Sequence, residues 1–215
     1  MSKIKKLKEY SIIINGKERK IKTYSHQKSN FFSVKSVVFP FAKFKDADTL
    51  LGPEMKSTGE VMGIDKKFNV AFLKAQIGTG KKLPEKGVAL ISVKDEDKPK
   101  VVKLAKQLID LGFNIMATGG TTKYLEKHGI PTQRVNKVSQ GKPHIVDYIY
   151  EGKINLVINT ADSTVTFKDG LAIRRNSLIR GVTYVTVMKA AFTLVKAIKA
   201  MKENYMSVNS LQEIL

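Results

Sequence analysis

The sequence contains no cysteine and only three histidines. The absence of cysteine excludes a disulfide scaffold, thiol catalysis and cysteine-ligated zinc, and it suits a reducing cytosol. None of His26, His128 and His144 stands at metal-ligand spacing with another ligand, so the sequence predicts no metal site. The short motifs of serine hydrolases, Walker-type sites and Rossmann dinucleotide sites are also missing. These absences argue against several common kinds of catalytic centre.

Long apolar runs are missing as well. No stretch approaches the roughly 18 consecutive apolar residues that a membrane span needs. The first residues are rich in lysine and lack the apolar core of a signal peptide. We therefore expect no membrane partner and a cytoplasmic location.

Acidic residues are few relative to basic ones: 19 Asp and Glu against 38 Lys and Arg give a formal net charge of +19. A basic domain can bind nucleic acid or acidic membranes. Here the lysines are scattered along the whole chain, and the aromatic residues do not alternate with arginines as a base-stacking surface requires. The composition therefore favours anionic small molecules, above all phosphate esters, over nucleic acid.

The first 86 residues divide into two segments by composition. Residues 1–30 are strongly basic, and Tyr10–Lys17 with Arg19–Tyr24 predicts a hairpin around an Asn-Gly turn. Residues 31–86 predict a strand, a glycine-rich loop and a helix, at Phe31–Phe41, Leu51–Gly63 and Phe68–Ala75. A linker with several glycines leads from this helix to Gly87.

Residues 87–215 form the third segment, in which apolar runs alternate with helical patterns. The predicted strands are Val88–Val93, Phe113–Ala117, Gln133–Val138, Ile154–Ile158 and Tyr184–Val187. The predicted helices are Asp97–Leu111, Thr121–His128, His144–Tyr150, Leu171–Arg180 and Ala190–Met201. This alternation predicts an α/β fold with a doubly wound parallel sheet flanked by helices, preceded by a small irregular or β N-terminal segment.

The peptide Ala117–Thr122 follows the second of these strands and precedes a helix. Gly119 and Gly120 allow a ligand to approach the backbone, the helix start offers unpaired N–H groups, and the threonine hydroxyls add donors. The pattern indicates an anion site suited to phosphate. An ordinary helix cap has the same composition, since threonine caps many helices.

Polar side chains stand at the other strand ends. Ser92 and Lys98 flank the end of the first strand of this segment, Lys137 follows the third strand, and Asn159 with Thr160 follows the fourth. Ligands of open parallel sheets bind at the carboxyl ends of the strands, so we expect these residues to converge on the loop. Each one alone is better explained as a solvated lysine or a helix cap. As a set they favour a ligand pocket.

The run Leu51–Gly63, Leu-Gly-Pro-Glu-Met-Lys-Ser-Thr-Gly-Glu-Val-Met-Gly, resembles the peptide at the end of the second ATP-grasp unit of the carbamoyl-phosphate synthetase large subunit. Val34–Phe44 resembles the strand before it in that family. From Gly87 onward the chain is similar to the subunit's final, allosteric domain, which has the methylglyoxal-synthase-like fold. The resemblance covers residues 31–215 and implies that residues 31–86 are the remnant of an ATP-grasp end and a linker.

The resemblance also implies an effector pocket for a nucleotide monophosphate such as uridylate or inosinate. The residues at the family's phosphate positions are Lys98, Thr118 and Thr121. Those on its ribose and base side are Lys137 and Asn159, with Ser92 nearby. The family's ornithine site is matched at Tyr184 and Thr186.

Two positions depart from the family's pattern. Ala161 stands where a pocket threonine is expected, which removes one hydroxyl from the effector side. Ser36 stands where an acidic residue is expected in the strand before Pro40. We therefore do not expect this chain to bind ornithine.

By the resemblance, the chain is a regulatory region without its own catalytic centre or cofactor, because the family's ATP and magnesium ligands lie in ATP-grasp sequence that is missing here. The implied enzyme is a glutamine-dependent ligase that makes carbamoyl phosphate for pyrimidine and arginine biosynthesis. The implied partners are the remainder of the large subunit, a glutaminase small subunit and a second copy of the large subunit.

Three alternatives compete with this interpretation. Methylglyoxal synthase shares the loop but needs a carboxylate base, and its Gly-Gly-Asp segment aligns with Gln140-Gly141-Lys142 here. A purine cyclohydrolase-like domain has a similar strand and loop but no place for Leu51–Gly63. A purely oligomerising module is compatible with the resemblance.

Overall fold

The computed structural model of the chain describes residues 7–14, 17–24, 30–38, 59–160, 164–206, 208 and 210. These residues belong to two compact units, one from residues 1–30 and one from residues 31–215. The smaller unit holds an antiparallel pair of strands, and the larger one holds a second antiparallel pair and a five-stranded parallel sheet.

The strands of the smaller unit are β1 (Leu7–Ile14) and β2 (Lys17–Tyr24). Leu7 pairs with Tyr24 at one end, and Ile14 pairs with Lys17 at the other. The pairing runs where the sequence predicts a hairpin, and the β-branched isoleucines of β1 are residues that suit a strand. The predicted turn residues, Asn15 and Gly16, lie outside the described residues.

The larger unit begins with strands β3 (Phe32–Val38) and β4 (Gly59–Asp65) and helix α1 (Phe68–Gly78). The predicted loop is wrong for residues 59–63, because they pair with Val34–Val38 of β3 in an antiparallel ladder. The glycines indicated a loop, but pairing with a neighbouring strand outweighs local propensity. Residues 39–58, which carry the rest of that peptide, lie outside the described residues.

Helix α1 approaches β4 most closely at Gly63. A Cβ atom at this position would overlap the carbonyl oxygen of Ala71 and would lie 2.5 Å from the amide nitrogen of Ala75. The absence of a side chain therefore allows the helix backbone to lie directly against the strand.

Asp65 fixes the turn between β4 and α1. One carboxylate oxygen accepts a hydrogen bond from the Lys67 N–H at 3.0 Å, and the other lies 2.8 Å from Lys74 Nζ. Burial raises the pKa of the Asp65 carboxyl, but the hydrogen bonds from Lys74 and the backbone outweigh it and hold the pKa below its ordinary value of 3.8. The ionised carboxylate thus ties the strand to the second turn of the helix.

The centre of the larger unit is a parallel sheet in the order β7-β6-β5-β8-β9. Its strands are β5 (Gly87–Val93), β6 (Phe113–Thr118), β7 (Gln133–Val135), β8 (Leu156–Thr160) and β9 (Thr183–Val185). The chain adds β6 and β7 on one side of β5, and β8 and β9 on the other, so the strand order reverses between β5 and β8. The predicted doubly wound parallel sheet is confirmed.

Helices cover both faces of this sheet. They are α2 (Lys98–Asp110), α3 (Gly119–Lys127), α4 (Ile145–Tyr150), α5 (Thr164–Ile179) and α6 (Met188–Lys202). Ala89 and Ile91 of β5 pack into one core with α2, α3 and α6, whereas Leu90 between them packs into a second core with α4 and α5. Among the described residues, no helix is both long and apolar enough for a membrane crossing.

Several predicted boundaries shift: β7 ends at Val135 and not at Val138, and three further shifts concern α3, β8 and α5. Helix α3 begins at Gly119, so the two glycines form its first turn and do not precede it. Strand β8 extends to Thr160, so Asn159 lies inside the strand. Helix α5 begins at Thr164, well before the predicted start at Leu171. Glycine and β-branched residues have low helix propensity, and tertiary contacts override that preference here.

Helix α1 also packs against α6. Asn69 Nδ2 donates a hydrogen bond to the carbonyl oxygen of Lys196 at 3.5 Å. Leu73 of α1 belongs to the same buried core as Leu194 and Ile198 of α6. The segment β3-β4-α1 is therefore joined to the parallel-sheet domain through one continuous apolar core.

We expect Gly63→Ala to lower the free energy of unfolding by about 1–3 kcal/mol, because the added methyl group forces α1 away from β4. Urea denaturation followed by far-ultraviolet circular dichroism measures this loss. Gly59→Ala in the same strand is the matched control, since nothing lies within 4 Å of a Cβ added there. Equal stability of the two variants would contradict the close approach at Gly63.

Candidate functional site

A cavity of about 310 Å³ opens at the carboxyl edge of the parallel sheet, beyond the ends of β5, β6 and β8. The strand order reverses between β5 and β8, and open α/β sheets bind their ligands at such switch points. The starts of α2, α3 and α4, the first half of α5 and the segment after β7 complete the walls. The fold itself therefore creates the cavity at the expected edge of the sheet.

All six residues predicted for the phosphate side and for the ribose and base side line this one cavity. They are Ser92, Lys98, Thr118, Thr121, Lys137 and Asn159. The two residues predicted for an ornithine site do not join them: Tyr184 lies in β9 and packs at the edge of the second core, and Thr186 follows that strand. Position 161, where the family's threonine is replaced by alanine, lies outside the described residues.

Hydroxyl groups hold Thr118 and the first turn of α3 in place. Thr118 ends β6 and occupies the N-cap position of α3, and its Oγ1 donates a hydrogen bond to Ser92 Oγ at 3.2 Å. Thr121 is only 1% exposed, and its Oγ1 accepts a hydrogen bond from the Val93 N–H at 3.4 Å. These two bonds fix the loop against the end of β5.

Thr122 ties the first turn of α3 to the end of β6. Its hydroxyl donates a buried hydrogen bond of 2.8 Å to the carbonyl oxygen of Ala117 in β6. This bond fixes the position of the first turn of α3 relative to β6. The N–H groups of that turn have no partner within the helix and can donate to an anion.

Lys98 supplies the positive charge next to the first turn of α3. It is the first residue of α2, and its side chain is 20% exposed. Its Nζ lies 3.4 Å from the place that a Cβ on Gly120 would take, so the ammonium group stands next to the first turn of α3. Lys98 Nζ also lies 2.7 Å from a carboxylate oxygen of Asp95.

The opposite wall of the cavity is polar as well. Asn159 lies opposite Ser92 in the register of β5 and β8, and it is only 4% exposed. The next residue, Thr160, accepts hydrogen bonds from the Lys94 N–H through its carbonyl oxygen and its Oγ1, at 3.1 and 3.2 Å. Lys137 stands just before a single 3-10 turn, Val138–Gln140, whose Gln140 Oε1 accepts from the Lys137 N–H at 2.9 Å.

Sequence reasoning missed the contribution of α5. Asp169, Gly170 and Ile173 line the cavity, and Asp169 accepts a hydrogen bond of 2.8 Å from Ser139 Oγ across its mouth. The predicted start of α5 at Leu171 came too late to bring the first two of these residues to the site. The one available signal was that residues following β8 must pass the carboxyl edge of the sheet.

The cavity contains groups that can bind an anion. It combines a helix start, threonine hydroxyls and the ammonium group of Lys98, and its two carboxylates, Asp95 and Asp169, are already engaged by Lys98 and Ser139. Within the described residues, no group of three or more His, Asp or Glu side chains could hold a metal ion. His128 and His144 lie at the end of α3 and the start of α4 and are not among the lining residues.

Comparison with known proteins finds one domain model and a set of similar proteins that share one name. The family model of the MGS-like domain matches residues 100–186. The carbamoyl phosphate synthase large chain, C-terminal section, of Aquifex aeolicus (strain VF5) is 49% identical over 209 residues, which cover 92% of this chain and 39% of that protein. The carbamoyl phosphate synthase large chain of Brucella suis biovar 1 (strain 1330) is 47% identical over 181 residues, 84% of this chain and 16% of that protein.

These relatives are much longer than this chain, which spans about two fifths of the Aquifex protein and about one sixth of the Brucella protein. The corresponding C-terminal section from Methanopyrus kandleri (strain AV19) is 49% identical over 183 residues, 85% of this chain and 34% of that protein. Among solved structures, a methylglyoxal synthase from Elizabethkingia anophelis NUHP1 matches with a TM-score of 0.44 and 20% identity, over 60% of this chain and 95% of that one.

We expect Thr122→Val to lower the free energy of unfolding by about 1–2 kcal/mol, because it removes the buried hydrogen bond to the Ala117 carbonyl at nearly constant volume. Thermal and urea denaturation measure the loss. Thr122→Ser keeps the hydroxyl and serves as the control, so it should retain more stability than the valine variant. A valine variant as stable as the wild type would show that this bond does not anchor the loop.

Proposed function

The chain contains an MGS-like domain and is homologous over most of its length to the C-terminal region of carbamoyl phosphate synthase large chains, and we propose that it is the effector-binding, regulatory region of such an enzyme. The single observation that carries this proposal is the convergence of six side chains from separate strand and helix ends on one cavity. The effector is a nucleoside monophosphate such as uridylate or inosinate.

The phosphate of this effector binds at the start of α3. The Thr121 hydroxyl, the N–H groups of the first turn of α3 and the ammonium group of Lys98 can donate to it, and Thr118, whose hydroxyl donates to Ser92, lines the same cavity. A phosphate monoester carries a charge of about −1.5 to −2 at neutral pH, so it matches this end of the cavity better than a neutral group does.

The ribose and base occupy the other end. The Asn159 amide can donate and accept hydrogen bonds, Lys137 donates only, and Ile145 and Ile173 give this part of the cavity an apolar wall. A volume of about 310 Å³ is at the lower limit of ordinary small-molecule sites and suits one small nucleotide. Tyr184 and Thr186, the two residues matched to the family's ornithine site, do not line this cavity.

The wider role follows from the relatives. Their chains are large subunits of carbamoyl phosphate synthase and extend far beyond this one. We assign the chemistry, with ATP, magnesium and ammonia from glutamine, to the remainder of the large subunit and to a glutaminase small subunit in the cytoplasm. This chain then regulates the supply of carbamoyl phosphate for pyrimidine and arginine synthesis and has no catalytic centre of its own.

A methylglyoxal synthase is the competing assignment, because the MGS-like domain is common to both and a carboxylate, Asp169, lines the cavity. That enzyme needs a carboxylate free to take a proton from dihydroxyacetone phosphate. Asp169 instead accepts the Ser139 hydroxyl, and Asp95 is paired with Lys98. Methylglyoxal release from dihydroxyacetone phosphate by the purified chain, above the rate of a Lys98→Ala variant, would establish the competing assignment.

The regulatory assignment predicts that uridine 5′-monophosphate binds at least tenfold more tightly than uridine, since charge-assisted hydrogen bonds to the phosphate are worth about 1.5–3 kcal/mol each. Lys98→Ala should weaken nucleotide binding by about tenfold or more and leave the affinity for uridine unchanged. Calorimetric titration measures both affinities.

Lys100→Ala is the matched control for this experiment. Lys100 lies two residues further along α2, is 62% exposed and pairs with Asp97 at 3.6 Å, but it does not line the cavity. Its loss should change nucleotide affinity less than twofold. Equal affinities for nucleoside and nucleotide, or equal effects of the two lysine substitutions, would show that the loop is an ordinary helix cap.

A further inference from the structure

We propose that Asp95 is an internal counter-ion of the cavity: its carboxylate holds Lys98 while the cavity is empty, and the phosphate of a ligand displaces it. This role rests on the proposed function, because it requires that Lys98 binds the ligand's phosphate. Its consequence is that Asp95 weakens the binding of phosphate esters and so sets the concentration at which the site responds.

The geometry places carboxylate and phosphate in competition for one ammonium group. Asp95 Oδ1 lies 2.7 Å from Lys98 Nζ, and both residues line the cavity. The same Nζ lies next to Gly120 in the first turn of α3, which is where we place the phosphate. A phosphate that binds at this first turn therefore meets a lysine whose charge is already matched by a carboxylate within hydrogen-bonding distance.

The two partners differ in how firmly they are held. The Asp95 side chain is 92% exposed, whereas the Lys98 side chain is only 20% exposed. Asp95 can rotate into solvent without uncovering apolar surface, and its carboxylate is fully hydrated there. Lys98 is confined between the acidic turn and the loop, so the ammonium group stays and the carboxylate leaves.

A second lysine acts on the same carboxylate. The hydrogen bond from Lys98 and then the charge of Lys98 lower the pKa of Asp95, and the charge of Lys137 lowers it further. Asp95 thus stays ionised at neutral pH and lies within the field of both lysines that we assign to the nucleotide. The empty cavity is partly neutralised by its own side chain before any ligand enters.

The neighbouring acids pair with other lysines, of which Lys94 also lines the cavity. The three residues form a single 3-10 turn, Asp95–Asp97, ahead of α2. Glu96 pairs with Lys94 at 3.1 Å, and Asp97 pairs with Lys100 at 3.6 Å. Of the three, Asp95 holds the lysine assigned to the phosphate, so its effect on ligand binding should differ from that of an acid one residue away.

The test is calorimetric titration of the full chain with uridine 5′-monophosphate, comparing wild type, Asp95→Asn and the matched control Glu96→Gln. Asp95→Asn should bind about two- to fivefold more tightly, the change expected for the loss of one exposed ion pair that competes with the ligand. Glu96→Gln should stay within twofold of the wild type. Both acids are exposed, so neither substitution removes a buried contact.

Salt dependence provides a readout that a purely structural role of Asp95 would not change. In the wild type the ligand displaces a carboxylate of the protein, whereas in Asp95→Asn it displaces an anion taken from solution. Release of solution ions makes affinity fall with salt, so the variant should lose affinity more steeply between about 50 and 300 mM potassium chloride.

The possible results separate the two proposals. Binding by wild type and variant with equal affinity, or weaker binding by Asp95→Asn, overturns the counter-ion role and leaves the effector site standing. An equal gain in Asp95→Asn and Glu96→Gln also overturns it, because general charge removal then explains both. Absence of nucleotide binding in all three proteins overturns the effector site and the counter-ion role together.

Discussion

The parallel pairing of β5 with β6 on one side and with β8 on the other is the constraint on which the site depends. The register places Ile91 next to Ala117 and Ser92 next to Asn159, so the last residues of three strands end in one row at the same edge. Because the chain reverses its direction of strand addition at this point, the connecting helices leave the row in different directions and leave a cavity between them. The polar residues of the row then face a space that the fold could not fill with its own side chains.

Hydrogen bonds of hydroxyl groups and the side chain of Lys98 shape the cavity at this row of strand ends. Lys98 Nζ stands next to Gly120 in the first turn of α3, and the hydroxyls of Thr118 and Thr121 bond to Ser92 and to the Val93 backbone. Buried hydroxyls that are hydrogen-bonded in this way cost little to bury and restrict the loop to one geometry. A preorganised donor set binds an anion without a further ordering cost, which is the physical reason for assigning the phosphate to this end.

Much of this arrangement is predictable from the sequence, and the exceptions have physical causes. Strand ends and helix starts follow from apolar periodicity, so the pattern alone places residues such as Lys98 and Asn159 at one edge of the sheet. It does not place Asp169 there, because Thr164–Gly170 contains glycine and β-branched residues and shows no helical signal until it is packed. The ladder of β4 is hidden for a similar reason: glycine is unfavourable in isolated strands, but at Gly63 it is required by the helix that lies against it. Local propensity therefore fails where close packing selects the residue.

The position of the cavity also determines which other elements are connected to Lys98 by packed contacts. Lys98 is the first residue of α2, α2 shares a buried core with α6, and α6 packs against α1. Helix α1 in turn lies with its backbone against β4 at Gly63, where no side chain can absorb a shift. Close-packed interiors transmit displacements because they lack free volume, so these contacts form a continuous route from the first residue of α2 to the β3–β4 pair. A change of ion pairing at Lys98 therefore acts at the start of a series of contacts that runs through α2, α6 and α1 to the β3–β4 pair.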